Sequence, residues 1–282
     1  MFKVSVAPFH MWAPDVYEGA PYPVTAYLAI GSKAAAFALI LRLVGEGFAP
    51  AAERWEQWQL VLAVLAGLTM LVGNLVALAQ KNLKRLLAYS SIGHAGFILA
   101  GITAFSLESD LAANGVMFYL VGYSITNLVV FATVISFFNM TGREEISDLG
   151  GLAASQPFLA ACLGMGLFSL AGLPIFAGFT MKFYLFTAVA SEGFLWLAGL
   201  AIFSSLVSLY YYFQVLRQVY IEATPVGESG GEFVEEYPAL SKSPSLPIVV
   251  VLTSGAGAMI WLGIYPRPLI EIIQAASEAV MG

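Results

Sequence analysis

Charge is scarce in this sequence: 11% of its 282 residues are Asp, Glu, Lys or Arg, where soluble domains carry roughly 25%. That shortage excludes an ordinary soluble domain with a solvated surface. Cysteine is scarcer still. Cys162 is the only one and stands inside an apolar run, so neither a disulfide framework nor a C-x-x-C redox or metal motif can form. No G-x-G-x-x-G opens a helix and no Walker loop occurs, which assigns any nucleotide or redox centre to other chains. The 12 basic residues are scattered and the net charge is −6. With no basic stripe to track a phosphate backbone, nucleic acid is excluded as a partner. The opening "MFKVSVAPFH" lacks the apolar h-region of a signal peptide and reads as the tail of a span already under way.

Apolar length is what the chain has in abundance, with 59% hydrophobic residues and a mean hydropathy of +0.82. Runs near the roughly 20 residues that a helix needs to cross a hydrocarbon core of about 30 Å recur at approximately 22–44, 59–79, 86–106, 112–138, 157–190, 195–220 and 247–265. They are continuous, unlike the alternating segments of outer-membrane strands, so helices are expected instead of a barrel. The expected fold is an all-α polytopic membrane protein, with residues 1–265 forming a bundle of a partial N-terminal helix plus about seven spans. Residues 222–246, "EATPVGESGGEFVEEYPALSKSPSL", read as a polar cytoplasmic linker or docking loop. Residues 266–282 read as a short interfacial helix, with Glu271, Gln274 and Glu278 on one face and Ile272, Ile273, Ala276 and Val280 largely elsewhere. Its lack of lysine argues against binding anionic lipid.

If each span crosses once, Lys81, Lys84, Arg85, Arg143, Arg217 and Lys242 share one side, and Arg42, Arg54 and Arg267 the other. The excess of positive charge makes the 80–86 loop cytoplasmic and sets the C-terminus on the opposite face. Trp55, Trp58 and Trp196, with Tyr210, Tyr211 and Tyr212, read as an aromatic belt at span ends.

Three lysines, Lys3, Lys33 and Lys182, do not sit at span ends. Lys33 lies about half a helix from either end of its run, roughly 15 Å deep. A charge at a helix centre costs on the order of 3 kcal/mol on insertion scales, and such residues usually face a bundle interior or a water-filled cavity. A structural clamp would need a buried acid, yet no Asp or Glu lies deep within any expected span; Asp15, Glu18 and Glu192 fall in connections. The lysines therefore rely on water or on a carboxylate from outside this sequence. A buried lysine can load and release a proton as one neighbouring acid approaches or retreats.

The segment around Lys182 adds geometry. A continuous helix over 157–190 would run about 50 Å, too long for one upright crossing. Pro174 removes a backbone hydrogen bond and Gly172 and Gly178 ease a break, so a discontinuous helix is expected. Interrupted helices are where transporters place ion sites. Lys3 is likewise followed by Pro8, His10 and Pro14, which suggests an internal repeat. In "YSSIGHAGF" Ser90, Ser91 and His94 share one helical face. His94 titrates near neutrality in water and is a candidate relay, whereas Ser124 and Asn127 read as hydrogen-bond glue between helices.

The stretch "FKVSVAPFHMWAPDVYEGAPYPVTAYLAIGSKAAAFALILRL", then "NLKRLLAYSSIGHAGF" and "SLAGLPIFAGFTMKFYLF", resemble in order and spacing the motifs of the subunit N branch of the antiporter-like membrane subunits of proton-pumping NADH:quinone oxidoreductase, respiratory complex I. The resemblance covers essentially the whole chain. It implies a fourteen-helix fold with two inverted five-helix repeats, each containing one broken helix. Lys3 would then lie on helix seven, Lys33 on helix eight, His94 on helix ten and Lys182 on broken helix twelve, the three lysines forming the proton path. About six helices of the family are expected to precede "MFKVS", among them the one carrying the glutamate paired with the helix-seven lysine. The chain is accordingly expected to be a fragment, a truncated reading frame or one part of a split subunit, and not to pump alone.

The resemblance also implies a bacterial inner-membrane location, partnership with other complex I membrane subunits including antiporter-like sisters, and no cofactor on this chain. NADH, flavin, iron-sulfur clusters and quinone would belong to partner subunits. The rival readings are a subunit of a multisubunit cation/proton antiporter or of a membrane-bound hydrogenase, or a non-pumping structural scaffold with inert lysines.

Overall fold

The computed structural model describes residues 1–48, 52–107, 109–221 and 244–281. The polar loop expected at 222–246 lies outside them except for its last three positions. Ten helices of eight or more residues organise the described residues: α1 Trp12–Gly19, α2 Tyr22–Phe48, α3 Ala52–Ala77, α4 Leu83–Thr103, α5 Leu111–Thr141, α6 Pro157–Ala171, α7 Ala177–Ser191, α8 Leu195–Tyr220, α9 Leu246–Ile264 and α10 Arg267–Met281. Six of them, α2, α3, α4, α5, α8 and α9, are long and apolar enough to cross a membrane. The protein is a multi-pass membrane protein.

Local chemistry sets the ends. Asn82 caps α4 by accepting the Arg85 backbone N–H at 3.1 Å, as a side-chain cap does for the orphan donors of a first turn. Gly142, with φ of 69°, ends α5 in the left-handed conformation that glycine adopts freely. Proline stands in the first turn of both α6 and α9, where a missing N–H costs nothing.

The fifth expected span, 157–190, is broken as Pro174 foretells. α6 stops at Ala171, the chain turns through Gly172 at φ +88° and Ile175 at φ +83°, and α7 starts at Ala177. Ser169 of α6 fastens the two halves: its hydroxyl accepts the Gly178 N–H at 3.1 Å and meets Thr126 of α5 at 2.9 Å. Gly263 of α9 packs on the break so closely that a Cβ there would come within 2.0 Å of the Ile175 carbonyl oxygen.

α4 is the axis of the bundle, with 94% of its apolar window buried. It meets α3 at small residues: a Cβ on Gly73 would lie 2.4 Å from the Gly93 nitrogen, and one on Gly96 would lie 2.7 Å from the Met70 nitrogen. Such close backbone approach is how helices associate where lipid supplies no hydrophobic drive. On the Lys81 side, the loops before α4 and after α5 pair through Leu83 N–H to Glu144 O at 3.1 Å and Ile146 N–H to Lys81 O at 2.9 Å.

Two expectations need correction. Residues 1–11 form turns and not the end of a span, with a helix beginning only at Trp12. Pro8 has no N–H to give a helix, and the Ala7 N–H goes to the Thr69 hydroxyl at 3.0 Å instead of to a helical carbonyl. Of the supposed belt, Tyr210 is exposed but Tyr211 and Tyr212 are fully buried, and Trp55 is buried with its indole N–H on the Phe105 carbonyl at 3.0 Å. Successive helical residues point about 100° apart, so three tyrosines in a row cannot share one face. In α10, Ile273 packs inward while Ile272 is exposed; Glu278 and Val280 fall among residues whose side chains are not described.

Candidate functional site: buried lysines around α4

Lys33, His94 and Lys182 are buried at 3%, 1% and 4% exposure, respectively, and α4 links them. Lys33 follows a π-helical turn, Leu28–Ser32, an irregularity common at functional sites. Its amine donates to the Ser91 carbonyl at 2.6 Å and to the Ser91 hydroxyl at 2.5 Å. Ser91 also accepts from the Tyr123 hydroxyl at 2.9 Å and lies 3.4 Å from the Tyr17 hydroxyl. The Tyr123 ring rests on His94, with centroids 4.9 Å apart, and His94 Nδ1 bonds the Tyr119 hydroxyl at 2.6 Å. His94 Nε2 has no hydrogen-bond partner among the described residues. One ring nitrogen is thus oriented by the protein, and the other is buried without a partner among the described residues.

Lys182 is held differently. Its amine donates to the Leu170 carbonyl at 2.8 Å, the Ala171 carbonyl at 3.0 Å and the Ser205 hydroxyl at 2.8 Å. Three acceptors match the three donors of an ammonium. Two of them are last-turn carbonyls of α6, which a helix end leaves without intrahelical partners and which form the negative pole of its dipole. The break therefore makes the cradle for a positive charge. Gly172 leaves it room, since a Cβ there would sit 2.9 Å from Lys182 Cδ. Between Lys182 and His94 stands Phe97, its ring centroid 5.3 Å from the lysine amine and 5.7 Å from the imidazole.

Neither Lys33 nor Lys182 pairs with a carboxylate among the described residues. Lys3 does not join them; it is exposed within the N-terminal turns. Ser90 turns away from Ser91 to meet the Tyr212 hydroxyl, and Tyr211 bonds Asn74, which bonds Ser204. Ser124 and Asn127 bond the carbonyls of Leu120 and Tyr123 on their own helix instead of gluing helices together.

This arrangement of a lysine before Ser91, a histidine inside the bundle and a lysine on a broken helix coincides with a family match. The model of the family described as NADH:quinone oxidoreductase/Mrp antiporter, TM, covers residues 1–208. The chain belongs to that family. Among its relatives, NADH-quinone oxidoreductase subunit N of Desulforamulus reducens is 43% identical over 99% of this chain and 55% of its own length. A chain of respiratory complex I from Thermus thermophilus, solved with bound aureothin, superposes with a TM-score of 0.75 at 34% identity, covering 96% of this chain and 56% of that one. A chain of the archaeal membrane-bound sulfane sulfur reductase gives 0.83 at 28% identity, covering 99% and 54%. The chain spans about half the length of the curated relatives it matches.

Several members of the site carried no sequence signal of their own. Tyr17, Tyr119, Tyr123 and Ser205 look like ordinary span residues, and only the fold brings them to a lysine or to His94. Lys84 was hidden by its neighbours: it reads as one of a basic group with Lys81 and Arg85, yet it is buried.

Proposed function

We propose that this chain is the proton-conducting part of a subunit N in a proton-translocating NADH:quinone oxidoreductase of the bacterial inner membrane. The observation that carries the reading is two buried lysines, Lys33 and Lys182, joined through Ser91, Tyr123, His94 and Phe97, with no carboxylate among the described residues to neutralise either. Inert structural lysines would be expected to have such partners. The identity to relatives named NADH-quinone oxidoreductase subunit N supports the wider assignment.

In this reading, electron transfer in partner subunits, which hold NADH, flavin, iron-sulfur clusters and quinone, changes the field along the lysines and drives protons between them. The side bearing Lys81, Lys84 and Arg85 faces the cytoplasm, residues 1–265 form the bundle, and α10 lies at the opposite surface. Lys3 takes its partner from a carboxylate outside these 282 residues.

Purification of the native assembly tests the assignment. NADH-to-quinone electron transfer coupled to proton movement is the expected result. Proton and cation exchange with no electron-transfer partners would assign the chain to an antiporter instead.

A further inference from the structure

A third buried lysine stands apart from this path. Lys84, in the first turn of α4, has a side chain only 5% exposed; its amine lies 3.1 Å from Glu144 Oε1, and the Glu144 side chain is 29% exposed. The amine also sits 4.3 Å from the centre of the Tyr22 ring. The Asn82 amide donates to the other carboxylate oxygen at 3.4 Å, and the Leu83-to-Glu144 backbone bond fixes the two loops together. Behind the pair opens a cavity of about 480 Å³ lined by Glu18, Tyr22, Lys84, Phe138, Asn139 and Glu144, among others. Arg85 braces its rim by holding Asp15 at 3.0 Å and Glu18 at 2.5 Å.

As a stabilising device this pair is a poor choice, because desolvating a lysine offsets most of the attraction to its partner. Its position suggests another use. Ser91, the partner of Lys33, is seven residues after Lys84, so both lie on the same face of α4 about 10.5 Å apart. Leu87 and Ala88, both buried, fill the layer between, and Tyr17 closes its side through the contact with Ser91. Both side chains line the cavity, and the Glu144 carboxylate is the more exposed of the two.

We propose that this cavity is the aqueous mouth of the route to Lys33, with Glu144 taking the proton from water and Lys84 passing one inward. The proposal rests on the proton-path reading above. A proton arriving on Glu144 neutralises the carboxylate and frees the Lys84 ammonium, whose flexible stem carries it across the Leu87 layer to give its proton to neutral Lys33. Glu144 then returns its proton to Lys84, which restores the ion pair.

Proton pumping in membranes carrying the assembled complex tests this, with Lys182→Ala run beside Glu144→Gln and Asn139→Cys. Glu144→Gln should slow pumping by about tenfold, and Glu144→Asp, or formate added to Glu144→Ala, should restore it, which a purely structural role would not show. A bulky, charged, water-soluble thiol reagent should slow the Asn139→Cys complex more than the parent complex treated alike, because this chain's own Cys162 is buried. Unchanged pumping in Glu144→Gln, or in fully modified Asn139→Cys, overturns the proposal. Normal pumping in Lys182→Ala removes the proton-path reading itself, so the two failures are distinct.

Discussion

Lys182→Ala in the assembled complex is expected to lower proton pumping coupled to NADH oxidation by more than about tenfold while the complex still assembles. The lysine amine sits in a cradle of three acceptors at 2.8, 3.0 and 2.8 Å, and alanine removes the group proposed to take and give the proton. Assembly survives because the cradle does not depend on the lysine. The Ser205 hydroxyl donates to the Ala171 carbonyl at 3.3 Å in its own right, and deleting a buried amine also deletes its desolvation cost. An acid-sensitive dye in sealed vesicles reads the first effect and native gel mobility the second.

Gly178→Ala is expected to be more damaging to the fold than any lysine variant. The added Cβ would lie 1.5 Å from the Ser169 carbonyl oxygen and 2.5 Å from its carbonyl carbon. These are backbone atoms at the junction of α6 and α7, so no rotamer change relieves the clash. The halves must part, which also breaks the Gly178 N–H bond to the Ser169 hydroxyl and pulls the Leu170 and Ala171 carbonyls away from Lys182. Overpacking of this kind against backbone costs more than about 3 kcal/mol. Loss of the assembled complex from membranes, or a large fall in the unfolding temperature of the purified assembly, is the measurable result. An unchanged thermal transition would mean that the break is looser than its hydrogen bonds indicate.

The spans and the break were legible because they depend on short-range pattern: continuous apolar runs, and a proline flanked by glycines. Lys33, His94 and Lys182 stood out for the same reason, as polar groups where a membrane helix has none. What surrounds them was not legible. The contacts of Lys33 with Ser91 and of Lys182 with Ser205 join residues distant in sequence on separate helices, and no local pattern encodes that register. Tyr211 and Tyr212 show the opposite error, since a run of aromatics near a span end looks like a belt until the helix turns two of them inward. Lys84 shows a third: a lysine at a helix start reads as solvated, and only the return of the chain after α5 supplies Glu144 to bury it. Lys3 was singled out by its position, by the Pro8 and Pro14 that follow it and by the resemblance, and the described residues leave it exposed.

The claim that Lys33 and Lys182 serve one route is tested most directly by counting protons translocated per NADH oxidised in vesicles holding Lys33→Ala, Lys182→Ala or both together. Groups acting in series are strongly non-additive, whereas independent sites this far apart combine without coupling. The expected result is a low ratio in each single variant and the same low ratio in the double variant, with the complex assembled throughout. A normal ratio in either single variant, or a double variant that loses the product of the two single losses, would contradict a common path.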